Sequence, residues 1–152
     1  PQCRYIDSYT YLRILGDLRG KLILDLGCGE GFYPRLFQKK GAKGVVGVDN
    51  CEEMLSLAQK LETQEPLGIK YLLKNIRQLE EVGEFDLVVA SYVLNDFATQ
   101  EQLEQLAQIS YLNRKRSEGV KELVTLTHWK NSLEEVKREQ HFPNEMLELP
   151  QS

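Results

Sequence analysis

Leu22-Ile-Leu-Asp-Leu-Gly-Cys-Gly-Glu-Gly-Phe32 holds a short apolar run, broken by one acid, and then three glycines at alternate positions. A short apolar run is typical of a buried parallel strand. The glycines after it let the backbone adopt positive φ and approach a ligand closely. Ligands of open α/β sheets bind at the carboxyl ends of such strands. The stretch therefore predicts a strand over 22–26 with a small-molecule site directly after it.

Similar apolar runs alternate with helical patterns along the chain, which predicts βαβ units in an α/β fold. We expect one domain over 1–152, with a Rossmann-like, doubly wound, mostly parallel sheet of five strands. Three possible capping boxes mark helix starts, at Asn50 with Glu53, Thr99 with Gln102 and Ser132 with Glu135. The further strands are expected over 44–49, 69–73, 85–91 and 123–127. Helical segments are expected over 4–19, 31–40, 51–62 and 77–82. Two further helices are expected, one after Thr99 and one from Ser132 to about Gln140.

The spacing of the glycines narrows the ligand class. The dinucleotide fingerprint is G-x-G-x-x-G, but Phe32 stands where its last glycine would be, and Asp25 precedes the turn. A second strand ends in Asp49, and Phe85–Ser91 follows as a fourth. Over about 5–112 the chain resembles the class I S-adenosylmethionine-dependent methyltransferases of the small-molecule type. A nucleotide-dependent oxidoreductase is disfavoured by Phe32.

The resemblance implies S-adenosylmethionine as cofactor and assigns residues to it. Asp49 would accept hydrogen bonds from both ribose hydroxyls, or act only as an acid at a helix N-terminus. Asp25 would favour the ammonium group of the ligand, or cap the turn. Met54 would flank the adenine, or pack in the core, and Cys28 is expected to be packed rather than reactive. The cofactor-binding candidates are Asp25, Gly27, Cys28, Gly29, Gly31, Asp49, Asn50, Met54, Asn75, Ile76 and Ser91.

The substrate side is less defined. Similar enzymes fold an N-terminal helix with tyrosines over the cofactor, although packing explains such tyrosines equally well. Where some relatives place a histidine after the fourth strand, this chain has Asn95 and Asp96. Asp96 could act as a base, but a solvated loop acid is favoured, so the catalytic residues stay unassigned. The substrate candidates are Tyr5, Tyr11, Tyr92 and Asn95.

Composition limits the partners and the compartment. The 152 residues carry a net charge of −4, with a pI near 5.3, so the basic surface typical of nucleic-acid binding is missing. Three cysteines without a C-x-x-C pair indicate neither a disulfide framework nor a metal site. No apolar run is long enough for a membrane span. We therefore expect a cytoplasmic protein that acts on a small molecule, without nucleic acid, membrane or metal.

The segment 113–152 is atypical. Relatives carry a Pro-Gly-Gly-like turn and further strands there, whereas this chain has a polar stretch from Lys115 to Val120. We expect the sheet to lack part of the usual C-terminal strands, through truncation or because a partner completes the substrate wall. The exposed edge would favour self-association. The main hypothesis is methyl transfer to a small-molecule acceptor, and the alternative is a catalytically weak or silent cofactor-binding module that acts with a partner.

Overall fold

The structure is a computed structural model, and it describes residues 2–91, 93, 99–114 and 124–126. Four helices, five strands and one 3-10 turn make up this part of the chain. In chain order they are α1 Gln2–Leu15, β1 Leu22–Leu26, α2 Phe32–Lys39, β2 Gly44–Asp49, α3 Glu52–Gln64, β3 Lys70–Leu73, the 3-10 turn Ile76–Gln78, β4 Leu87–Ser91, α4 Gln100–Leu112 and β5 Val124–Leu126.

The five strands form one parallel sheet in the order β3-β2-β1-β4-β5. The chain runs from β1 outward to β3 and then returns to place β4 on the other side of β1. The order therefore reverses between β1 and β4, and ligands of doubly wound sheets bind at the carboxyl ends of the strands at such a point. The expected Rossmann-like, parallel architecture is confirmed, and the glycine turn after β1 lies at this position.

Each face of the sheet carries its own apolar core. Side chains alternate between the two faces of a strand, so Leu24 and Leu26 belong to one core while Ile23 belongs to the other. The first core includes Leu106 and Ile109 of α4. The second core includes residues of α1 and α2. Asp25 has the same parity as Ile23, so its side chain points toward the face that α1 and α2 cover.

A buried ion-pair network fixes the approach to β3. One oxygen of Glu62, Oε1, accepts hydrogen bonds from the backbone N–H groups of Leu67, Gly68 and Ile69, at 2.7, 2.6 and 3.2 Å. The other oxygen accepts from Nη1 of Arg35 at 2.9 Å. The Arg35 side chain is only 10% exposed. Glu62 thus joins α2, α3 and the loop before β3.

A fully buried asparagine fixes the entry to β4. Asn113 Oδ1 accepts from the Val82 N–H at 2.7 Å, and its backbone oxygen accepts from the Phe85 N–H at 2.9 Å. Phe85 forms only an isolated bridge with Arg114, and the pairing with β1 begins at Leu87. The prediction of a strand from residue 85 is therefore wrong by two residues.

Two further local predictions are wrong, and one capping box is confirmed. Helix α1 ends at Leu15 rather than near residue 19, because Gly16 adopts φ 74° and its N–H bonds to the Leu12 carbonyl. The N-cap of α3 is Cys51, without a side-chain capping bond, so the box of Asn50 with Glu53 does not form. Reciprocal side-chain and backbone bonds at the start of α4 confirm the box of Thr99 with Gln102.

Smaller differences affect the other bounds. The 3-10 turn Ile76–Gln78 replaces the helical segment expected over 77–82, and β3 begins at Lys70 rather than at residue 69. Strand β5 spans Val124–Leu126, inside the expected 123–127. The helix expected from Ser132 lies outside the described residues.

Candidate functional site

The turn after β1 is built from three glycines with positive φ. Gly27, Gly29 and Gly31 have φ of 73°, 55° and 85°, a region that other residues rarely adopt. The N–H groups of Gly27 and Cys28 both donate to the Val48 carbonyl, at 2.7 and 3.0 Å. These two bonds attach the turn to the end of β2, so the backbone of the turn lies at the carboxyl edge of the sheet.

Asp49 connects this turn to the start of α3. Its Oδ2 accepts from the Gly29 N–H at 2.8 Å, and its Oδ1 accepts from the Cys51 N–H at 2.9 Å. The residue is 9% exposed. A carboxylate has about four acceptor positions, so these two bonds leave acceptor capacity on both oxygens. The arrangement fits the predicted ribose contact and also the alternative of an acid at a helix N-terminus.

Asp25 lies beneath the turn. It is fully buried, and its backbone is paired with Gly47 in β2 and with Val89 in β4. Both assignments of Asp25, a contact with the ligand ammonium group and a cap of the turn, stay predictions.

Cys28 is a packed side chain. It is 7% exposed, and burial raises the pKa of its thiol, with the nearby carboxylates of Asp25 and Asp49 adding to the effect. The thiolate is the reactive form, so this environment suppresses reactivity. The structure supports the prediction that Cys28 is packed rather than reactive.

The residues predicted near the adenine fall into two groups. Asn50 is exposed and Met54 is 44% exposed on the first turn of α3, which removes the alternative that Met54 is a core side chain. Asn75 and Ile76 have structural partners: Asn75 Oδ1 accepts from the Arg77 N–H at 3.0 Å, and Ile76 is buried in the core with Leu26. The first pair is accessible to a ligand, and the second pair is engaged in local packing.

Tyr11 is placed in the core rather than on a substrate wall. Its ring is fully buried, at 5.0 Å from the ring of Tyr33 in an edge-to-face arrangement and at 6.1 Å from Phe37. Tyr5 lies in α1, and Ser91 is the last residue of β4. Their roles in binding stay predictions. The other substrate candidates, Tyr92 and Asn95, lie outside the described residues, as does Asp96.

Two residues at this edge were not predicted from the sequence. Tyr71 of β3 pairs with Gly47 of β2, and its hydroxyl oxygen reaches the turn at Gly31. Gly47 leaves the space that Cys28 and the Tyr71 ring occupy. A glycine inside an apolar strand pattern is a signal of close backbone or side-chain approach. That signal was present at Gly47, but its partner depends on the strand register.

Two kinds of feature are absent from the described residues. Within that part of the chain, no helix is long and apolar enough to cross a membrane. The same residues contain no group of three or more His, Cys, Asp or Glu side chains that could hold a metal ion.

Residues 23–115 match the family of methyltransferase domains. A tRNA U34 carboxymethyltransferase from Mannheimia succiniciproducens is 32% identical over 136 residues, which cover 81% of this chain and 40% of that protein. A ubiquinone biosynthesis O-methyltransferase from Coxiella burnetii is 35% identical over 78 residues, which cover 51% of this chain and 33% of that protein. The chain thus spans less than half the length of these two relatives.

A solved structure gives the same result for the fold. Magnesium protoporphyrin IX methyltransferase from Synechocystis PCC 6803, crystallised with bound S-adenosylmethionine, superposes with a TM-score of 0.59 at 27% identity. The superposition covers 72% of this chain and 53% of that one. The similarity therefore extends from the sequence motifs to the arrangement of strands and helices.

Proposed function

The chain belongs to the methyltransferase domain family, and on this premise we propose that it binds S-adenosylmethionine and transfers its methyl group to a small-molecule acceptor. One observation carries the proposal. The Asp49 carboxylate accepts a hydrogen bond from the Gly29 N–H at 2.8 Å, so the acid and the glycine turn lie side by side at one edge of the sheet. A ligand that has both a diol and an amino-acid end requires these two features side by side.

The residues present fit that cofactor. Asp49 keeps acceptor capacity for two ribose hydroxyls, and Met54 offers an exposed apolar surface near the same edge for a flat base. The glycine turn allows the backbone to approach the methionine part closely. The cofactor supplies an activated methyl group on a sulfonium leaving group. The protein then contributes mainly by positioning the acceptor, since favourable orientation alone lowers a barrier by up to ~7–11 kcal/mol.

The small-molecule acceptor is supported by charge. A net charge of −4 gives no general attraction to phosphates, which supply most of the affinity for nucleic acids. The Coxiella burnetii relative is named for ubiquinone biosynthesis, which is consistent with a small acceptor.

A second candidate is an RNA acceptor. The Mannheimia succiniciproducens relative is named for tRNA, and its similarity covers 81% of this chain, more than that of the ubiquinone relative. A local surface can bind RNA even when the net charge is negative, so the acceptor class needs a direct test.

Calorimetric titration of the chain with S-adenosylmethionine, S-adenosylhomocysteine, NAD and NADP tests the cofactor. We expect binding of the first two and none of the nucleotides. Binding of NAD alone would overturn the proposal. A methyl-transfer assay with a panel of phenols, amines and carboxylates beside bulk tRNA then tests the acceptor. Turnover of a small acceptor supports the first candidate, whereas turnover only of tRNA replaces it with the second. Cofactor binding without any turnover would favour the silent binding module.

A further inference from the structure

The hydroxyl oxygen of Tyr71 is buried and has no hydrogen-bond partner. Its ring lies along β3 beside Gly47, where a Cβ built on that glycine would be 3.0 Å from Cδ1 of the ring. At the other end of the ring, the hydroxyl lies directly against Gly31, in the space that a Cβ on that glycine would fill. The hydroxyl is thus an unused polar group beneath the glycine turn.

A buried hydroxyl without a partner is unfavourable, because it has lost its bonds to water and gained none. A phenylalanine would make the same ring contacts without this cost. Burial also raises the pKa of the Tyr71 hydroxyl, so the group keeps its proton at neutral pH and is available as a donor. The missing interaction is therefore an acceptor.

The turn that the hydroxyl approaches at Gly31 carries backbone carbonyls that can accept further hydrogen bonds. The Cys28 carbonyl accepts one bond from the Gly31 N–H at 3.0 Å, and the Gly31 carbonyl accepts one from the Arg35 N–H at 3.1 Å. A carbonyl oxygen has two lone pairs, so each can take a second donor. Because glycine tolerates a wide range of φ and ψ, a small rotation of these peptide groups requires little free energy.

We propose that Tyr71 is a positioning residue whose hydroxyl donates to a backbone carbonyl of the Gly27–Gly31 turn when S-adenosylmethionine or its product occupies the site. This inference rests on the proposed function. Ligand contacts would shift the turn, and the new hydrogen bond would hold it in the shifted position. The strand β3 at the edge of the sheet would thereby contribute to cofactor affinity without touching the cofactor.

The variant Tyr71→Phe tests the proposal through two measurements: the stability of the free protein should not fall, whereas the affinity for the ligand should. Without ligand, the variant should unfold in urea at the same midpoint as the parent or a higher one, because an unsatisfied buried group has been removed. In calorimetry with S-adenosylhomocysteine, its Kd should rise about three- to tenfold, the effect of one hydrogen bond formed only in the complex. Tyr111→Phe is the matched control, since that tyrosine is 54% exposed on α4, and it should change neither quantity.

Three outcomes would overturn the inference. An unchanged Kd for Tyr71→Phe would show that the hydroxyl gains nothing on binding. A lower urea midpoint for the unliganded variant would show that the hydroxyl already has a partner before the ligand arrives. Failure of the parent chain to bind S-adenosylhomocysteine would remove the proposed function and the inference with it, and the parent titration distinguishes this outcome from the other two.

Discussion

Gly47 of β2 lies directly against Cys28: a Cβ built on Gly47 would be 2.8 Å from the Cys28 Sγ and 3.0 Å from its Cβ. The same Cβ would be 3.0 Å from Cδ1 of the Tyr71 ring. The packing of the glycine turn onto the sheet thus depends on the absence of one methyl group in the second strand.

Gly47→Ala should therefore lower the free energy of unfolding by about 1–3 kcal/mol, the usual range for overpacking a core. Urea unfolding measures the loss. Gly44→Ala is the control in the same strand, where the added Cβ would meet only the end of the Leu22 side chain at 3.2 Å. Gly44→Ala should cost less. Adding Cys28→Ala to Gly47→Ala should restore part of the stability, and no restoration would contradict the assigned contact.

Asp49→Asn should weaken both the fold and the site. An amide has one acceptor oxygen, so its NH₂ group would face the N–H of Gly29 or of Cys51, where the carboxylate now accepts from both. We expect a loss of about 1.5–3 kcal/mol in unfolding free energy and at least about a tenfold rise in the Kd for S-adenosylhomocysteine.

The control for Asp49 is Asp17→Asn. Asp17 is an exposed acid whose pKa is lowered to about 2, chiefly by a side-chain hydrogen bond from Arg19. Its replacement should leave the Kd unchanged. Binding has to be measured at a temperature where each variant is fully folded. Parent-like affinity of Asp49→Asn under these conditions would show that the assigned pocket is wrong.

Glu62→Gln should destabilise the chain by about 1–3 kcal/mol without a direct effect on the cofactor edge. Glutamine can present one oxygen to the three N–H groups before β3, but its NH₂ then faces the Arg35 guanidinium, which now donates to the carboxylate at 2.9 Å. Thermal unfolding measures the change. Glu52→Gln, on the exposed side of the same helix, should have little effect, and equal effects of the two variants would contradict the network.

Thiol labelling should distinguish Cys28 from Cys51. In a Cys3→Ser background, Cys51 is partly exposed and should react with a disulfide reagent, whereas buried Cys28 should react at least about tenfold more slowly. Because burial raises the Cys28 pKa, increasing the pH from 7 to 9 should accelerate the labelling of Cys28 only slightly. Equal rates in the native protein would show that Cys28 is not packed beneath the turn.

The architecture could be predicted from the sequence, because it depends on local patterns of apolar and polar residues. Strands β1 and β2 have the predicted bounds, and the sheet is parallel and doubly wound, as expected from the alternation of strands and helices. The closeness of Asp49 to the glycine turn also follows, since both come directly after neighbouring parallel strands. These features depend on residue periodicity and on the geometry that all such sheets share.

Features that depend on contacts between distant segments, or on which of several nearby residues ends or caps a helix, could not be predicted in this way. Both Gly16 and Gly20 adopt positive φ, and only the structure shows that the first of them ends α1. The N-cap of α3 is Cys51, whose N–H donates to Asp49, rather than Asn50 one residue earlier. The contact of Tyr71 with Gly31 joins β3 to the turn after β1, and no local pattern records it.

The two hydrogen bonds on Asp49 also bear on the kinetics of binding. The bonds from Gly29 and Cys51 hold the carboxylate in one rotamer before any ligand arrives. Binding therefore need not order this side chain, and such preorganisation reduces the entropic penalty of association. For the same reason, capture of a diol would not have to wait for a rotamer change of the acid. The same two hydrogen bonds therefore stabilise the fold and orient the carboxylate for the ligand.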